Sequence, residues 1–247
     1  MASALYALAA LVGGAAYLYR VRHSESLPLL ARNLLWLILG GFLGANFGGA
    51  AMLVSRLTGA ALPFALKDYS ILGALLGGTA TALWLCRRYA VSFWSAADQG
   101  IPALPLALSI GRLGCFARGC CYGAPTASWL GLYLPDRAGN WLPRYPTQLL
   151  SAAANLLIFL VLLAVERYGR PREGELTRLF FALFLLKRFG IEFLRGDALP
   201  AVLGPLNTTH LTCLAGLALV VVVSLTQART PQKSTQRRRD GENAEVV

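Results

Sequence analysis

Charged residues are scarce in this sequence of 247 residues: Asp, Glu, Lys and Arg make up 14% of it, against 56% hydrophobic residues. Soluble domains contain about 25% charged residues, so this composition excludes a typical soluble globular protein. The abundance of apolar residues also excludes intrinsic disorder over most of the length. We therefore predict an all-α, polytopic membrane protein.

Acidic residues are especially few, with 12 against 23 basic ones and a net charge of +11. In a soluble protein such an excess indicates a nucleic-acid partner. Here the basic residues stand between apolar runs and form no continuous stripe. Membrane proteins concentrate Lys and Arg in cytoplasmic loops, which explains the same excess. We expect the lipid bilayer, and no nucleic acid, as a partner.

Seven apolar runs are each close to the roughly 17–25 helical residues that a bilayer core requires. Backbone polar groups must be satisfied inside lipid, so we interpret these runs as helices. The predicted spans are Ser3–Tyr19, Leu34–Val54, Tyr69–Cys86, Ile101–Phe116, Thr147–Val165, Leu176–Leu194 and Thr208–Thr226.

Loop charges predict an N-terminus outside and a C-terminus in the cytoplasm. With that orientation fourteen Lys and Arg fall in the inside loops and tail and six in the outside loops, as the positive-inside rule requires. The positive charges follow the first apolar run, so we interpret it as a retained helix and not a cleavable signal peptide. Residues 1–226 are predicted to form one membrane domain. The polar segment Gln227–Val247 is predicted to be a disordered basic cytoplasmic tail.

Charged residues inside predicted spans are expensive and are functional candidates by default. Arg188, Glu192 and Arg195 follow an i, i+4, i+7 spacing, which places them on one helical face. They form either an ion pair at the outer helix end, with Arg195 reaching the interface, or a cationic pocket for an anionic head group. Two cations against one carboxylate leave positive charge over, which favours the pocket.

A second cationic segment lies at residues 111–123, where Arg112 stands between Gly111 and Gly114 at a predicted helix end. A planar guanidinium that is approachable between glycines suits a phosphate group. The predicted orientation brings Arg112 to the same outer side as Arg188 and Arg195. The two segments together predict a site for a phospholipid phosphate.

Histidine is nearly absent, with His23 and His210 as the only two. Cys115, Cys120 and Cys121 are spaced C-x4-C-C, without the paired C-x2–4-C ligands or added His of zinc sites, so we predict no metal and no cofactor. On an oxidising outer face Cys115 can form a disulfide with Cys120 or Cys121.

Three short motifs in order resemble the bacterial prolipoprotein diacylglyceryl transferase family. Residues 111–123 resemble G-R-x-G-N-F-x-N-G-E-x-x-G, residues 144–148 resemble R-H-P-[ST]-Q, and residues 188–195 resemble R-x-x-x-E-F-x-R. Tyr6 and Gly40–Gly49 fit weaker N-terminal patterns of the family. The resemblance extends from Tyr6 to about Thr226.

The resemblance implies a transferase of the bacterial cytoplasmic (inner) membrane that acts in lipoprotein biosynthesis. Members move a diacylglyceryl group from phosphatidylglycerol to the lipobox cysteine thiol of a prolipoprotein, and glycerol phosphate leaves. It implies catalytic-pocket roles for Arg188, Glu192 and Arg195. It implies contacts to phosphatidylglycerol for the remaining motif residues, which are Arg112, Gly114, Arg144, Gln148 and Tyr6.

The chain departs from the family pattern at several polar positions. Leu72 stands where the family has a histidine, and Tyr145 replaces the histidine of R-H-P. Cys115 and Arg118 replace the two asparagines of the signature, and Cys120 replaces its glutamate. The thiol-activating base is therefore unassigned. One hypothesis gives this role to His210; the other makes His210 a cap of the seventh helix.

Other functions compete with diacylglyceryl transfer. A related phospholipid-dependent transfer, or a phospholipid-binding homologue without catalysis, would use the same cationic residues. A membrane thiol–disulfide oxidoreductase would use Cys115, Cys120 and Cys121, although the sequence has no C-x-x-C pair. A transporter lined by Arg112, Lys187 and Arg188 is disfavoured, because the spans show no repeated halves.

Overall fold

The structure is a computed structural model that describes residues 1–22, 36, 39, 43, 69–136, 138–198 and 200–228. The helices bounded within these ranges are α1 (Ala2–Val21), α2 (Tyr69–Arg88), α3 (Phe93–Gly100), α4 (Ala103–Arg118), α5 (Thr147–Gly169), α6 (Glu175–Glu192) and α7 (Thr208–Ala228). The strands are β1 (Leu132–Pro135), β2 (Trp141–Arg144), β3 (Ala201–Leu203) and β4 (Leu206–Asn207).

Three of these helices, α1, α5 and α7, are long and apolar enough to cross a membrane. The pair α3 and α4, bent by 42° between them, makes a fourth crossing if it is one span. The mostly helical architecture agrees with a polytopic membrane protein. The second predicted span, Leu34–Val54, lies almost wholly outside the described residues, so seven crossings and their orientation stay predictions.

The surfaces of these helices explain the composition. Leu157 and Leu160 on α5, and Leu219, Val221 and Val222 on α7, are all more than half exposed. Large apolar side chains in continuous exposed bands are rare on soluble monomers. These bands are therefore expected to face lipid.

The predicted fourth span, Ile101–Phe116, is corrected in two ways. The helix within it, α4, begins two residues later than predicted, at Ala103, and ends two residues later, at Arg118; the short helix α3 precedes it. The break falls at Ile101 and Pro102, where α4 is capped by a proline that has no backbone N–H to donate.

The helices pack in a row in which α4 lies between α1 and α5, and α6 lies between α5 and α7. A β-carbon on Gly13 would come within 2.7 Å of the Ala107 side chain, so this glycine allows α1 and α4 to approach closely. A buried cluster joins α5 to α6; it consists of Ile158, Leu162, Leu176 and Phe180.

Two small antiparallel sheets correct the all-α prediction. The loop between α4 and α5 contains the hairpin β1–β2, in which Tyr133 pairs with Pro143. Its turn forms because the Asp136 carboxylate accepts hydrogen bonds from the Ala138 and Asn140 amides, both 2.9 Å long. The hairpin β3–β4 joins α6 to α7. Both hairpins lie at the end of the bundle where α4 and α6 finish.

The opposite end of the bundle is held by polar contacts and carries the basic loops. Arg20 forms an ion pair with Glu166 at 2.6 Å. The Asp98 carboxylate accepts hydrogen bonds from the amides of Gly174 and Thr177, which caps the start of α6. At the C-terminus α7 continues through Gln227 and Ala228, and the rest of the predicted tail lies outside the described residues.

Candidate functional site

The loop after α4 brings the three sequence motifs together. Gly119, with φ of +70°, ends α4 in the left-handed conformation that glycine adopts without strain. The chain then passes between the end of α6 and the end of β2. Gly123 pairs with Arg195 on one side, and Pro125 pairs with Arg144 on the other, both as antiparallel bridges. Residues that are 72 positions apart in the sequence, Gly123 and Arg195, therefore meet in one place.

Gly123 is required at this crossing because there is no space for a side chain. A β-carbon there would overlap the carbonyl oxygen of Tyr145. Gly196 is similarly confined, because a β-carbon there would lie 2.6 Å from the Gly123 carbonyl oxygen. The two glycines allow the backbones of the signature loop and the end of α6 to touch.

Replacing Gly123 with alanine is expected to lower the free energy of unfolding by about 1–3 kcal/mol, the typical cost of inserting a group into a filled space. Thermal unfolding of the purified protein in detergent measures this change. Gly190→Ala is the matched control, because a β-carbon on Gly190 meets nothing within 4 Å. Equal unfolding curves for the two variants would contradict a tight crossing at Gly123.

Glu192 is the central anion of the site. Its side chain is 1% exposed and pairs with Arg188 at 2.9 Å and with Arg195 at 3.5 Å. The predicted common helical face is corrected at Arg195, because α6 ends at Glu192 and Arg195 follows the helix. The chain turns after Phe193, and Arg195 still reaches the carboxylate. Burial opposes the charged form of Arg195, but a hydrogen bond to Asp197 raises the pKa of its guanidinium.

His210 does not line the pocket, although one hypothesis placed it there. It is 2% exposed and its ring lies against Phe189 and Phe193, with a centroid distance of 4.1 Å to Phe193. Its amide donates to the Asn207 side chain at 3.1 Å, and its Nδ1 accepts from the Asn207 amide. This is the N-terminal cap of α7, as the second hypothesis expected. Asn207 in turn donates to Glu192 at 3.0 Å.

A cationic pocket lies between α4, α5 and α6. Its wall contains Arg112, Lys187, Arg188 and Arg195, and also Cys121 and Thr147. Glu192 and Asp197 are the carboxylates paired with these cations among the described residues. The three arginines alone outnumber the two carboxylates, so the pocket carries an excess of positive charge. The cavity holds about 10 Å³, about the space of one water, so a phosphate enters only when side chains move apart.

Arg144 and Gln148 lie beside this pocket and do not line it. Arg144 is 4% exposed and pairs with Asp136 at 3.0 Å. A backbone hydrogen bond from Asn140 is the main cause that holds the pKa of Asp136 below its usual value. Gln148 donates to the carbonyl oxygen of Cys120 at 3.0 Å. Both side chains therefore hold the walls of the pocket, a more indirect position than the predicted contact to phosphatidylglycerol.

Tyr6 and Gly114 form a third part of the wall. A β-carbon on Gly114 would come within 2.9 Å of the Tyr6 ring, so the glycine accommodates the tyrosine. The Tyr6 hydroxyl lies 3.4 Å from the Cys115 sulfur, to which it donates. Arg118 stands over the same ring, 5.0 Å from its centroid. The N-terminal helix thereby reaches the signature loop.

The cysteines of the signature loop are free thiols in the structure. The sulfurs of Cys115, Cys120 and Cys121 nevertheless all lie within 4.8 Å of one another. A hydrogen bond to Cys115 is the main cause that raises the pKa of the Cys121 thiol, and burial adds to it. The spacing of the three residues along the chain did not predict how closely their sulfurs approach.

Several site residues were missed by sequence reasoning. Asn155 is 1% exposed and accepts a hydrogen bond from Lys187 at 2.8 Å. Asn207 links Glu192 to the cap of α7. Buried amides inside apolar runs were the available signal, because such groups need partners. Leu72, which replaces the family histidine, has a side chain outside the described set.

A second cavity, of about 510 Å³, lies towards the opposite end of the bundle. Its lining is mostly apolar and comes from α1, α2, α3, α4 and α6. It contains none of the predicted site residues. The cationic pocket is therefore the candidate site.

The fold and the pocket define a helical membrane protein with a buried, positively charged site built from separate sequence motifs. The family model of prolipoprotein diacylglyceryl transferase matches residues 3–226. The chain belongs to this family.

Curated relatives agree with this membership. A phosphatidylglycerol–prolipoprotein diacylglyceryl transferase 2 of Clostridium perfringens is 35% identical over 147 residues, which are 58% of this chain and 56% of the relative. An enzyme of Synechocystis named phosphatidylglycerol–prolipoprotein diacylglyceryl transferase is 35% identical, over 68% of this chain and 64% of the relative. An enzyme of the same name in Geobacter sulfurreducens is 37% identical, over 62% of this chain and 60% of the relative. The matched region thus spans somewhat over half of the relatives' length.

Proposed function

We propose that this protein transfers a diacylglyceryl group from phosphatidylglycerol to the lipobox cysteine thiol of a prolipoprotein. The observation that carries the proposal is the cationic pocket, which the three family motifs build together around Arg112, Arg188 and Arg195. The activity for which the relatives are named supplies the lipid donor and the prolipoprotein acceptor.

The chemistry of such a transfer suits a cationic pocket. The thiol releases its proton to solvent as its sulfur attacks the glyceryl carbon that carries the phosphate ester, and the carbon–oxygen bond breaks. The electron pair goes to the phosphate oxygen, so glycerol phosphate leaves with one more negative charge than it had in the lipid. Fixed cations in a low-dielectric site stabilise that developing charge strongly.

The residues divide into two roles in this proposal. Arg112 contacts the phosphate, while Arg188 and Arg195, fixed by Glu192, form the rest of the catalytic pocket. A second group keeps the walls in place through the contacts described above; it consists of Tyr6, Gly114, Arg144 and Gln148.

The proposed enzyme crosses the bacterial cytoplasmic membrane seven times, with its N-terminus outside. The basic loops after α2 and α5 then lie in the cytoplasm, and the hairpins and the pocket lie at the outer face. This arrangement supports the proposal because the lipobox of an exported prolipoprotein reaches the outer leaflet. Positive-inside charge asymmetry is the physical basis for the orientation.

A lipobox peptide incubated with the purified protein and phosphatidylglycerol is expected to gain one diacylglyceryl group on its cysteine. Mass spectrometry of the peptide measures the adduct, and release of glycerol phosphate should match it in amount. A peptide with serine in place of the cysteine is the control and is expected to stay unmodified. A folded protein that binds the lipid and forms no adduct would contradict the proposal.

A further inference from the structure

Three thiols meet beside the cationic pocket, and none of them has a role in the transfer step described above. Cys115 comes from the last turn of α4, and Cys120 and Cys121 come from the loop that follows. Their sulfurs all lie within 4.8 Å of one another. In a tetrahedral zinc site with Zn–S bonds of about 2.3 Å, the sulfurs are about 3.8 Å apart. Shifts of about 1 Å or less would therefore bring the three sulfurs to one metal ion.

The loop is folded to hold this arrangement. Gly119 at φ +70° and Cys121 at φ +60° are both left-handed, which turns Cys120 and Cys121 back over Cys115. The left-handed region is uncommon for a residue other than glycine, and at functional sites the surrounding structure compensates such strain. Here Thr147 donates to the Cys121 carbonyl oxygen at 2.7 Å and Gln148 donates to that of Cys120 at 3.0 Å.

The cluster also has a hydrogen-bond donor to one of its sulfurs, and nearby positive charge that favours thiolates. The Tyr6 hydroxyl donates to the Cys115 sulfur, as residues around metal-bound ligands commonly do. Cys121 lines the cationic pocket with Arg112 and Arg195, so positive charge stands next to the sulfurs. Within the described part of the chain the ligand group comprises these three thiols. Three protein ligands leave the fourth tetrahedral position open, as in catalytic zinc sites.

We propose that Cys115, Cys120 and Cys121 bind one zinc ion whose fourth position takes the acceptor thiol of the prolipoprotein. This inference rests on the proposed function for its second half only, since the metal site stands on the geometry of the sulfurs. It departs from the sequence prediction of no metal, which rested on the spacing of the cysteines along the chain and on the lack of an added His.

Zinc is the favoured ion for chemical reasons. Soft thiolate ligands select zinc and copper(I) over magnesium and calcium, and zinc imposes no redox chemistry and no strong geometric preference. The thiolate is the reactive form of a thiol, and a thiol that coordinates zinc loses its proton. The metal thereby supplies the activation step for which the chain has no assigned base.

The transfer step begins when the acceptor thiol binds the metal. The acceptor thiol gives its proton to solvent on binding the metal, and its sulfur lone pair forms the new bond to the glyceryl carbon. The bond from that carbon to the phosphate oxygen breaks, and glycerol phosphate leaves towards Arg112, Arg188 and Arg195. The thioether product is a weaker ligand than the thiolate, so it leaves the metal.

The first experiment measures metal binding without reference to activity. The full chain in detergent, with its thiols reduced, is analysed for zinc and titrated with cobalt(II), whose thiolate complexes absorb by charge transfer. We expect one equivalent of metal in a tetrahedral thiolate site. Tyr6→Phe is expected to weaken cobalt affinity by about 10–100-fold, the usual effect of losing an outer partner, and serine at any of the three cysteines is expected to weaken it more.

Cys86→Ser is the matched control, because this half-buried cysteine lies on α2 and outside the three-thiol group. It is expected to bind cobalt as the unaltered protein does. Less than stoichiometric binding by the reduced protein, or equal loss in Cys86→Ser and Cys121→Ser, would overturn the metal site.

The second experiment tests the open ligand position. Adding a lipobox peptide to the cobalt-loaded protein is expected to change the charge-transfer band, and the serine peptide is expected to leave it unchanged. Removing the metal with a chelator should lower diacylglyceryl transfer, and zinc should restore it. Full transfer by metal-free protein would overturn thiol activation by zinc and leave the proposed function standing. Metal binding with the spectral change, but no adduct, would instead contradict the proposed function.

Discussion

Glu192→Gln is expected to lower the free energy of unfolding by about 3–5 kcal/mol and to abolish transfer. Glu192 is buried between Arg188 and Arg195 at 2.9 and 3.5 Å. A glutamine keeps the shape and the contact with Asn207, but it removes the only carboxylate that the described structure places between these two guanidinium groups. An arginine cannot lose its proton at accessible pH, so Arg188 is left largely buried without a carboxylate partner, and Arg195 keeps only Asp197.

Chemical unfolding of the detergent-solubilised protein measures the change in stability. Glu166→Gln is the matched control, because Glu166 also pairs with an arginine, Arg20 at 2.6 Å, but has a side chain that is 40% exposed. An exposed pair contributes about 0–1 kcal/mol, so the control is expected to change little. Similar losses in both variants would show that Glu192 has no special role in holding the pocket.

Arg112→Ala is expected to reduce the rate of transfer by about 10²–10³-fold, the typical effect of removing one fixed group that stabilises developing charge. Arg112 lines the pocket, and within the described ranges it forms no ion pair that its loss would break. The fold is therefore expected to stay intact. Arg112→Lys keeps the charge but loses the planar fork, so an intermediate rate is expected.

The measurement is the rate of adduct formation on the lipobox peptide, with unfolding curves recorded for each variant. Arg167→Ala removes one arginine from exposed surface at the opposite end of α5 and serves as control, with an unchanged rate expected. A normal rate in Arg112→Ala would exclude Arg112 from the transferring phosphate. A lost rate with a lost fold would assign Arg112 to structure.

The two variants separate two contributions of the same pocket. Glu192 positions cations and so affects both folding and chemistry, whereas Arg112 is expected to affect chemistry alone. The buried chain from Glu192 through Asn207 to His210 explains the difference, since it ties the pocket to the start of α7. Arg112 has no comparable connection within the described residues.

Much of the site was predictable from short patterns. The segments around Arg112 and Arg188 contain charges inside apolar runs, and such charges are costly unless they serve a partner. The two segments do converge, and the pocket they share is positive. Helical spacing placed Arg195 on the same face as Arg188. Arg195 does line the pocket with Arg188, but the helix ends before it, so helical spacing is not what brings it there.

Other features of the site depend on how a loop folds. The close approach of the Cys115, Cys120 and Cys121 sulfurs depends on left-handed torsions at Gly119 and Cys121, which residue spacing along the chain does not show. The contact of Arg144 with the lipid follows from its motif and stays a prediction. The ion-pair partner of Arg144 in the structure, Asp136, belongs to a hairpin turn that the hydrophobic pattern does not show.

The sequence by itself determined the membrane class, most of the helix positions and the family, because apolar run length, loop charge and short motifs are local properties of the chain. Only the tertiary structure decided which side chains touch. The Tyr6 hydroxyl contacts the Cys115 sulfur although the two residues are 109 positions apart in the sequence. Gly123 pairs with Arg195 although they are 72 positions apart. Those contacts depend on helix packing and on a few backbone torsions in loops, which no pattern of residue types along one segment specifies.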